Sequence, residues 1–157
     1  MARCQAALGA ITTVVLAFAA FATPSAALQE STEVVAPTPL EILVEVVGGR
    51  LDQDEEGGVE FVDLSYTQIT DEGLTHFAGQ SVLVSLNLNN TQVTDRGLVH
   101  LAEIPTLRTL GLSFTQVTDA GLEHLKGMID LQELDLAAPQ VTDAGLVHLK
   151  GMTKLQN

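Results

Sequence analysis

Four copies of one 24-residue unit fill the C-terminal two-thirds of this 157-residue chain and restrict the folds open to it. The segments TQITD, TQVTD, TQVTD and PQVTD begin at Thr67, Thr91, Thr115 and Pro139, with no insertion between them. Self-similarity at a fixed period of about 20 to 50 residues is typical of a solenoid. Each solenoid repeat packs mainly on its neighbours, so residues shared between repeats are explained first by stacking and only then by chemistry.

The local pattern predicts a strand and a short helix in each repeat. In the third repeat Leu107, Leu110 and Leu112 alternate as in a strand with one buried face. The apolar spacing then changes from two to three, which predicts a short helix that Thr118 or Asp119 caps. One glycine recurs in each repeat and is expected to let neighbouring turns approach closely. These glycines are Gly73, Gly97, Gly121 and Gly145.

The repeats are aligned at residues 59–82, 83–106, 107–130 and 131–154. Residues 155–157 match the opening of a fifth repeat, and no polar capping segment follows them. An open parallel edge is a template for association. We therefore expect the chain to be a fragment of a longer repeat array or to pair end to end with a second copy.

Residues 38–58 predict a cap for the first repeat. Thr38-Pro39-Leu40-Glu41 combines a capping box with proline at the first helical position. An apolar stripe at helical spacing follows, and Gly48-Gly49 is expected to end the helix. This helix and the acidic, hairpin-like segment up to Gly58 would cover the apolar end of the solenoid.

Residues 1–27 have the parts of a secretory signal peptide, and residues 28–37 resemble a linker. Arg3 precedes an apolar core over residues 6–22, and Ser25-Ala26-Ala27 is a small-x-small cleavage site. An uncleaved membrane anchor is the alternative. Cleavage would remove Cys4, the one cysteine, and leave a mature domain without disulfides or thiolate metal ligands. The expected location is extracellular, periplasmic or in the cell envelope.

The charge balance excludes some partners. All 20 acidic residues and six of the seven basic residues follow Ala27. Such a surface repels phosphate backbones and anionic lipids, so nucleic acid is not expected as a partner. No stable membrane insertion is expected after cleavage of the leader.

The recurring pattern L-x-x-L-x-L-x-x-T-x-V-T-D-x-G-L-x-H-L resembles a leucine-rich repeat. It is similar to the T-D-x-G-L repeats of secreted bacterial proteins and to the cysteine-containing repeats of eukaryotic F-box proteins. The resemblance implies an α/β fold: a right-handed solenoid, or partial horseshoe, with a parallel sheet on its concave face and short helices on its convex face. Threonine replaces the family's buried asparagine or cysteine, and Pro139 interrupts even that, so the fourth turn is expected to be looser.

The recurring histidines and aspartates are interpreted as structural. The histidines, His76, His100, His124 and His148, share one repeat position and should form a column. Imidazoles in such a column could share a metal, but no carboxylate recurs in the same column, so no metal site is predicted. The aspartates of the T-D pairs suit helix starts better than acid–base chemistry. Because the sequence has no nucleophile motif or phosphate-binding loop, we expect neither catalysis nor a cofactor.

Strand positions that point away from the core remain free to recognise a partner. The predicted ligand-binding residues on the concave face are Phe61, Asp63, Ser65, Tyr66, Asn87, Asn89, Thr109, Ser113, Phe114, Glu133 and Asp135. Aromatic residues among small polar groups are candidate anchors for a protein partner. A glycan or envelope component, an F-box-like substrate-recognition role, and a purely structural module remain alternatives, although the export signal argues against ubiquitin ligase work.

Overall fold

A computed structural model describes residues 38–138 and 140–156. The predicted signal peptide and linker lie outside this part of the chain, and so does Pro139. The described part forms helices and strands in alternation. Their order is α1 (Pro39–Val47), β1 (Arg50–Gln53), β2 (Val59–Asp63), α2 (Asp71–Leu74), β3 (Ser85–Asn87), α3 (Asp95–Leu101), β4 (Thr109–Gly111), α4 (Asp119–Leu125), β5 (Glu133–Asp135) and α5 (Asp143–Leu146). Short 3-10 segments, Thr75–Phe77 and Val147–Gly151, extend α2 and α5.

The five strands form one sheet in chain order. β1 is antiparallel to β2, and every later pair is parallel. The register follows the 24-residue period, since Leu86 lies beside Leu110 and Leu110 beside Leu134. One repeat therefore forms one turn, and equivalent residues stack in columns. This arrangement confirms the predicted solenoid.

The core consists of leucine columns and a buried threonine column. Leu64, Leu88 and Leu112 are fully buried. The hydroxyl of the threonine three residues later donates to each of their carbonyl oxygens, at 2.6 Å for Thr67 and 2.7 Å for Thr91 and Thr115. These threonines satisfy buried backbone acceptors of their own turns. They do so in the position where the family resemblance leads one to expect asparagine or cysteine.

The N-terminal cap closes one end of this core. Thr38 and Glu41 form the predicted capping box at the start of α1. Leu40 and Val44 of the helix are buried against the first turn. Gly48 ends the helix in the left-handed conformation, with φ of 79°. β1 then pairs with β2, so the hairpin also occupies the edge of the sheet.

Aspartates connect successive turns, a role that the sequence analysis did not predict. The Asp71 carboxylate accepts hydrogen bonds from the backbone N–H of Thr94 at 2.8 Å and from its hydroxyl at 2.6 Å. Asp95 holds Thr118 in the same way, and Asp119 holds Thr142. We call each of these pairs a carboxylate clamp. Aspartate therefore both begins its own helix and fixes the start of the next.

The repeated glycine leaves room for this clamp. A Cβ at Gly121 would lie 2.3 Å from Asp95 Oδ1, and one at Gly145 would lie 2.3 Å from Asp119 Oδ1. At Gly97 the corresponding distance to Asp71 Oδ1 is 2.7 Å. The predicted close approach of neighbouring turns is thus confirmed at these three glycines. Gly73 differs, because its nearest neighbour is the Ile69 side chain of its own turn.

The fourth turn is less tightly enclosed than the third. Leu112, Val117 and Leu125 are fully buried in the third turn. Their counterparts, Leu136, Val141 and Leu149, are only partly buried. The sequence ascribes a looser fourth turn to Pro139, which lies outside the described residues, so that cause stays a prediction.

Candidate binding site on the concave face

A shallow groove of about 530 Å³ runs across the outward face of the sheet. Strands β2 to β5 contribute side chains to it because alternate residues point away from the core. It is lined by Phe61, Ser85, Leu86, Asn87, Asn89, Thr109, Leu110, Gly111, Glu133, Leu134 and Asp135. Six of the predicted ligand-binding residues therefore lie in one depression: Phe61, Asn87, Asn89, Thr109, Glu133 and Asp135.

A polar network ties three of the predicted residues to one another. Asn89 accepts from the backbone N–H of Ser113 at 2.7 Å and donates its side-chain amide to Asp135 at 3.0 Å. The Ser113 hydroxyl donates to the other oxygen of Asp135 and accepts from the Ala137 backbone at 2.8 Å. The network joins three consecutive turns, so these polar groups are partly saturated before any ligand arrives.

Ser113 is much less exposed than a free ligand-binding residue would be. It is 4% exposed, and it is hydrogen-bonded to Asn89 and Asp135 of the neighbouring turns. These contacts with the concave network account for its low exposure. Ser113 therefore organises the floor of the groove and does not present a free hydroxyl to a ligand.

Two other predicted residues stabilise the turn after their strands. Asp63 Oδ1 accepts from the backbone N–H of Ser65 at 2.9 Å, and Asn87 Oδ1 accepts from that of Asn89 at 3.0 Å. Gly111 has no side chain, and a Cβ there would lie 2.8 Å from Asn87 Oδ1. Asp63 and Asn87 thus shape the groove while keeping part of their surface exposed.

Tyr66 and Phe114 form an exposed rim at the carboxyl ends of the strands. They are 78% and 65% exposed. Together with Asn90 they have φ between 57° and 59°, and the three share one repeat position. Asparagine tolerates this left-handed conformation, whereas a bulky aromatic residue there costs about 1–2 kcal/mol. Their exposure means that packing among residues 38–138 and 140–156 does not explain these aromatic rings.

The groove and its edge are predominantly acidic. Asp63, Glu133 and Asp135 lie on the concave face of β2 and β5. Asp52 of β1 stands opposite Phe61, and Arg50 stands opposite Asp63. Directly opposed residues of an antiparallel pair share a face, so Asp52 and Arg50 extend the same surface. Four acids and one base therefore occupy the concave positions of these three strands.

The convex histidines and aspartates form no metal site in the described residues. His76 and His124 are exposed, and His100 and His148 are half-buried. Within residues 38–138 and 140–156, no three His, Cys, Asp or Glu side chains lie close enough together to hold a metal ion. The hydroxyl and then the backbone N–H of Thr142 hold the pKa of the Asp119 carboxyl below its ordinary value. The lowered pKa of Asp119 is therefore explained by the carboxylate clamp and does not indicate a catalytic or metal site.

A second depression of about 580 Å³ lies at the amino ends of the strands. Glu60, Arg108, Asp130 and Lys154 line it, among other residues. The Lys154 ammonium pairs with the Asp130 carboxylate and holds the pKa of Asp130 below its ordinary value. Charges of both signs lie close together here, so this depression lacks the single dominant sign of the concave groove.

Comparison with known proteins supports the same fold. The family model described as "Leucine Rich repeat" matches three consecutive segments, residues 59–78, 80–102 and 103–126. A search of curated proteins found no match. Among solved structures, internalin C2 from Listeria monocytogenes is similar, with 23% identity and a TM-score of 0.52 over 74% of this chain and 42% of the other. The actin-binding site 2 of leiomodin-1 is also similar, with 16% identity and a TM-score of 0.51 over 73% of this chain and 70% of the other.

The matched segments and the sheet register identify the described domain as a leucine-rich-repeat solenoid. The chain spans less than half of internalin C2 and about two-thirds of the leiomodin-1 fragment. At these identities the two structures bear on the fold alone. The described part of the chain also has no helix that is both long and apolar enough to cross a membrane.

Proposed function

We propose that this domain is a scaffold that binds a protein partner through its concave face. The observation that carries the proposal is the groove between β2 and β5, which is open, faces no other element of the described chain, and has two exposed aromatic rings on its rim. Exposed aromatic side chains beside a polar floor are typical of protein interfaces. The leiomodin-1 fragment, which has the same fold, binds actin, and this supports a binding role for the fold.

The proposal assigns no catalytic role to the chain. A catalytic site needs titratable groups brought together in a pocket that excludes water. The groove is shallow, and its carboxylates are either held by neighbouring amides or open to solvent. A glycan partner and a purely structural role are the competing outcomes of the experiment below.

A pair of matched variants tests the concave face. Thr109→Arg adds bulk and charge to the floor of the groove, whereas Ala102→Arg places the same side chain at the exposed end of α3. A cation near a helix C-terminus is favourable, so the control should fold normally. Both variants and the unmodified full chain would be immobilised and exposed to the proteins and glycans of the producing cell.

Proteins retained by the unmodified chain and by Ala102→Arg, but lost with Thr109→Arg, would support the proposal. Retention by all three baits would place the binding surface elsewhere. Capture of glycans alone, with the same dependence on Thr109, would replace the protein partner with a carbohydrate. Failure to retain anything specifically would favour the purely structural alternative.

We also propose that the protein is exported. The support is the sequence of residues 1–27, with an apolar core followed by a small-x-small site. The mature protein would then lack Cys4 and lie in the extracellular or envelope compartment. Intact-mass measurement of the protein recovered outside the cytoplasm tests this proposal. A species that retains Cys4 would contradict cleavage after Ala27.

End-to-end self-association is a further proposed property, favoured by an exposed apolar surface in the fourth turn. Leu146 is 46% exposed and Val147 is 52% exposed. Light scattering of the full chain and of Leu146→Lys, over a range of concentrations, tests the proposal. A concentration-dependent mass that the variant abolishes would support it. An unmodified chain that stays monomeric at every concentration would contradict it.

A further inference from the structure

We propose that the concave face takes a cationic, arginine- or lysine-rich extended segment, with Tyr66 and Phe114 stacking on its side chains. The inference rests on the proposed protein-binding function and specifies its partner. Two independent observations carry it: the left-handed aromatic residues of the rim and the sign of the charge on the groove.

The rim aromatics are placed for contact with a partner. Tyr66, Asn90 and Phe114 form one column on consecutive turns, because Tyr66 N–H donates to Asn89 and Asn90 N–H donates to Ser113 of the next turn. Neighbouring strands are about 4.8 Å apart, so the two rings begin about 10 Å from each other. Asparagine occupies the middle position with less strain, yet aromatic rings occupy the outer two and remain in water. Contacts within the described residues therefore do not account for these rings, which points to a partner.

The charge of the concave face indicates the charge of the partner that these rings would contact. Asp52, Asp63, Glu133 and Asp135 lie on the concave positions of β1, β2 and β5, and Arg50 is the one cation among the concave positions of those strands. A partner of opposite sign is steered to such a surface. Guanidinium and ammonium groups also stack on tyrosine and phenylalanine faces. An extended segment can lie along this shallow groove and reach residues of β2, β3, β4 and β5 at once.

The test uses fluorescein-labelled nona-arginine and the full-length protein, with binding followed by fluorescence anisotropy at low and moderate salt. Asp63→Asn with Glu133→Gln removes two charges from the face. Asp63→Asn keeps a side-chain oxygen for the Ser65 N–H. The matched control, Glu72→Gln with Glu103→Gln, removes two exposed charges outside the sheet. The rim variant is Tyr66→Asn with Phe114→Asn, which suits the left-handed backbone.

We expect the face variant to weaken peptide binding by about three- to tenfold and the control by less than about twofold. The rim variant should weaken it by about fivefold, with an equal or higher Tm, because asparagine is favoured at this φ. Equal weakening by the face and control variants would show that only net charge matters and would overturn the inference. Rim and face variants that both bind as tightly as the unmodified chain would also overturn it.

A neutral oligosaccharide tests whether the concave face binds a carbohydrate instead of a cationic segment. Maltoheptaose should not bind measurably to the unmodified chain. Binding that the rim variant abolishes would overturn the cationic-segment inference in favour of a carbohydrate. A negative result with nona-arginine, together with a protein captured in a Thr109-dependent manner, would refute this inference while leaving the proposed function intact.

Discussion

The same repeat leucine is buried at one end of the described solenoid and exposed at the other. Leu74, in the first turn, is fully buried, whereas Leu146, at the same position in the fourth turn, is 46% exposed. Leu98 and Leu122 in the middle turns are also fully buried. The same residue at the same repeat position therefore has different surroundings in different turns. The burial of a repeat leucine is completed by the turn that follows it, because solenoid repeats contact mainly their neighbours.

At the N-terminal end, the cap covers the apolar side of the first turn. There the apolar stripe of α1 supplies Leu40 and Val44, and β1 supplies an antiparallel neighbour for β2. At the other end of the described residues, the backbone N–H of Gln156 donates to the carbonyl of Gln132, next to β5, at 2.8 Å, and Lys154 pairs with Asp130 beside it. An exposed ion pair stabilises a fold only weakly, because water screens it. Stability should therefore fall from the capped end towards the fourth turn.

The largest expected effect is a difference in the free energy of unfolding between a leucine variant in a middle turn and one in the fourth turn. Leu122→Ala removes a fully buried side chain and should lower the free energy of unfolding by about 2–5 kcal/mol. Leu146→Ala at the same repeat position should cost less than about 1 kcal/mol, because half of that side chain is already in water. Chemical denaturation of both variants measures the difference. Equal losses would show that the fourth turn is as well enclosed as the third.

The next comparison concerns the repeated glycine. Gly121→Ala would push a Cβ into the Asp95 carboxylate, which two hydrogen bonds hold in place, and should cost about 1–3 kcal/mol. Gly73→Ala near the capped end meets the movable end of Ile69 and should cost less. Gly127→Ala has nothing within 4 Å of its Cβ and serves as a neutral control. Thermal unfolding in parallel ranks the three. A Gly73 variant that is the least stable would contradict the role given to the clamp.

The contribution of the clamp to stability can be separated from that of the charge at a helix start by comparing two aspartates at the same helix position. Asp95→Ala removes both acceptors of Thr118 and leaves a part-buried backbone N–H without its partner, which should cost about 1–3 kcal/mol. Asp143→Ala removes the same first-turn charge of a helix, where no clamp to a following threonine is present in the described residues. Its cost should be below about 1 kcal/mol. Urea denaturation provides the comparison, and equal costs would mean that the carboxylate acts only on its own helix.

The smallest expected effect is a pH dependence of the clamp between the third and fourth turns. The pKa of Asp119 is lowered by its bonds from Thr142, so ionised Asp119 stabilises the folded state above its ordinary pKa of 3.8. That contribution is lost as the pH falls through the lower folded pKa. Stability of the unmodified chain should therefore decline more than that of Asp119→Asn between about pH 4 and pH 2. Parallel profiles would indicate that the clamp does not depend on ionisation.

The repeated sequence by itself determined the architecture. The 24-residue period, the alternation of Leu107, Leu110 and Leu112, and the capping box at Thr38 were sufficient to predict a solenoid, a strand and a short helix in each turn, and the N-terminal cap; the parallel sheet was implied by the resemblance to leucine-rich repeats. They were sufficient because each is a local rule of spacing or capping, and repetition makes the same local solution stack in register. Alternation alone predicted which strand residues point away from the core, among them Phe61, Asn87 and Thr109, which line the groove.

Only the tertiary structure decided what the polar residues contact. The T-D pairs predict helix starts, but the bonds that Thr94 donates to Asp71 cross 23 residues, and no local rule specifies them. Asn89 and Asp135 of neighbouring turns bond to Ser113 and leave it 4% exposed, and Tyr66 and Phe114 adopt a left-handed backbone that the sequence pattern does not reveal. Contacts between turns depend on where the stacked backbones bring side chains together, and that geometry exists only once the solenoid has formed.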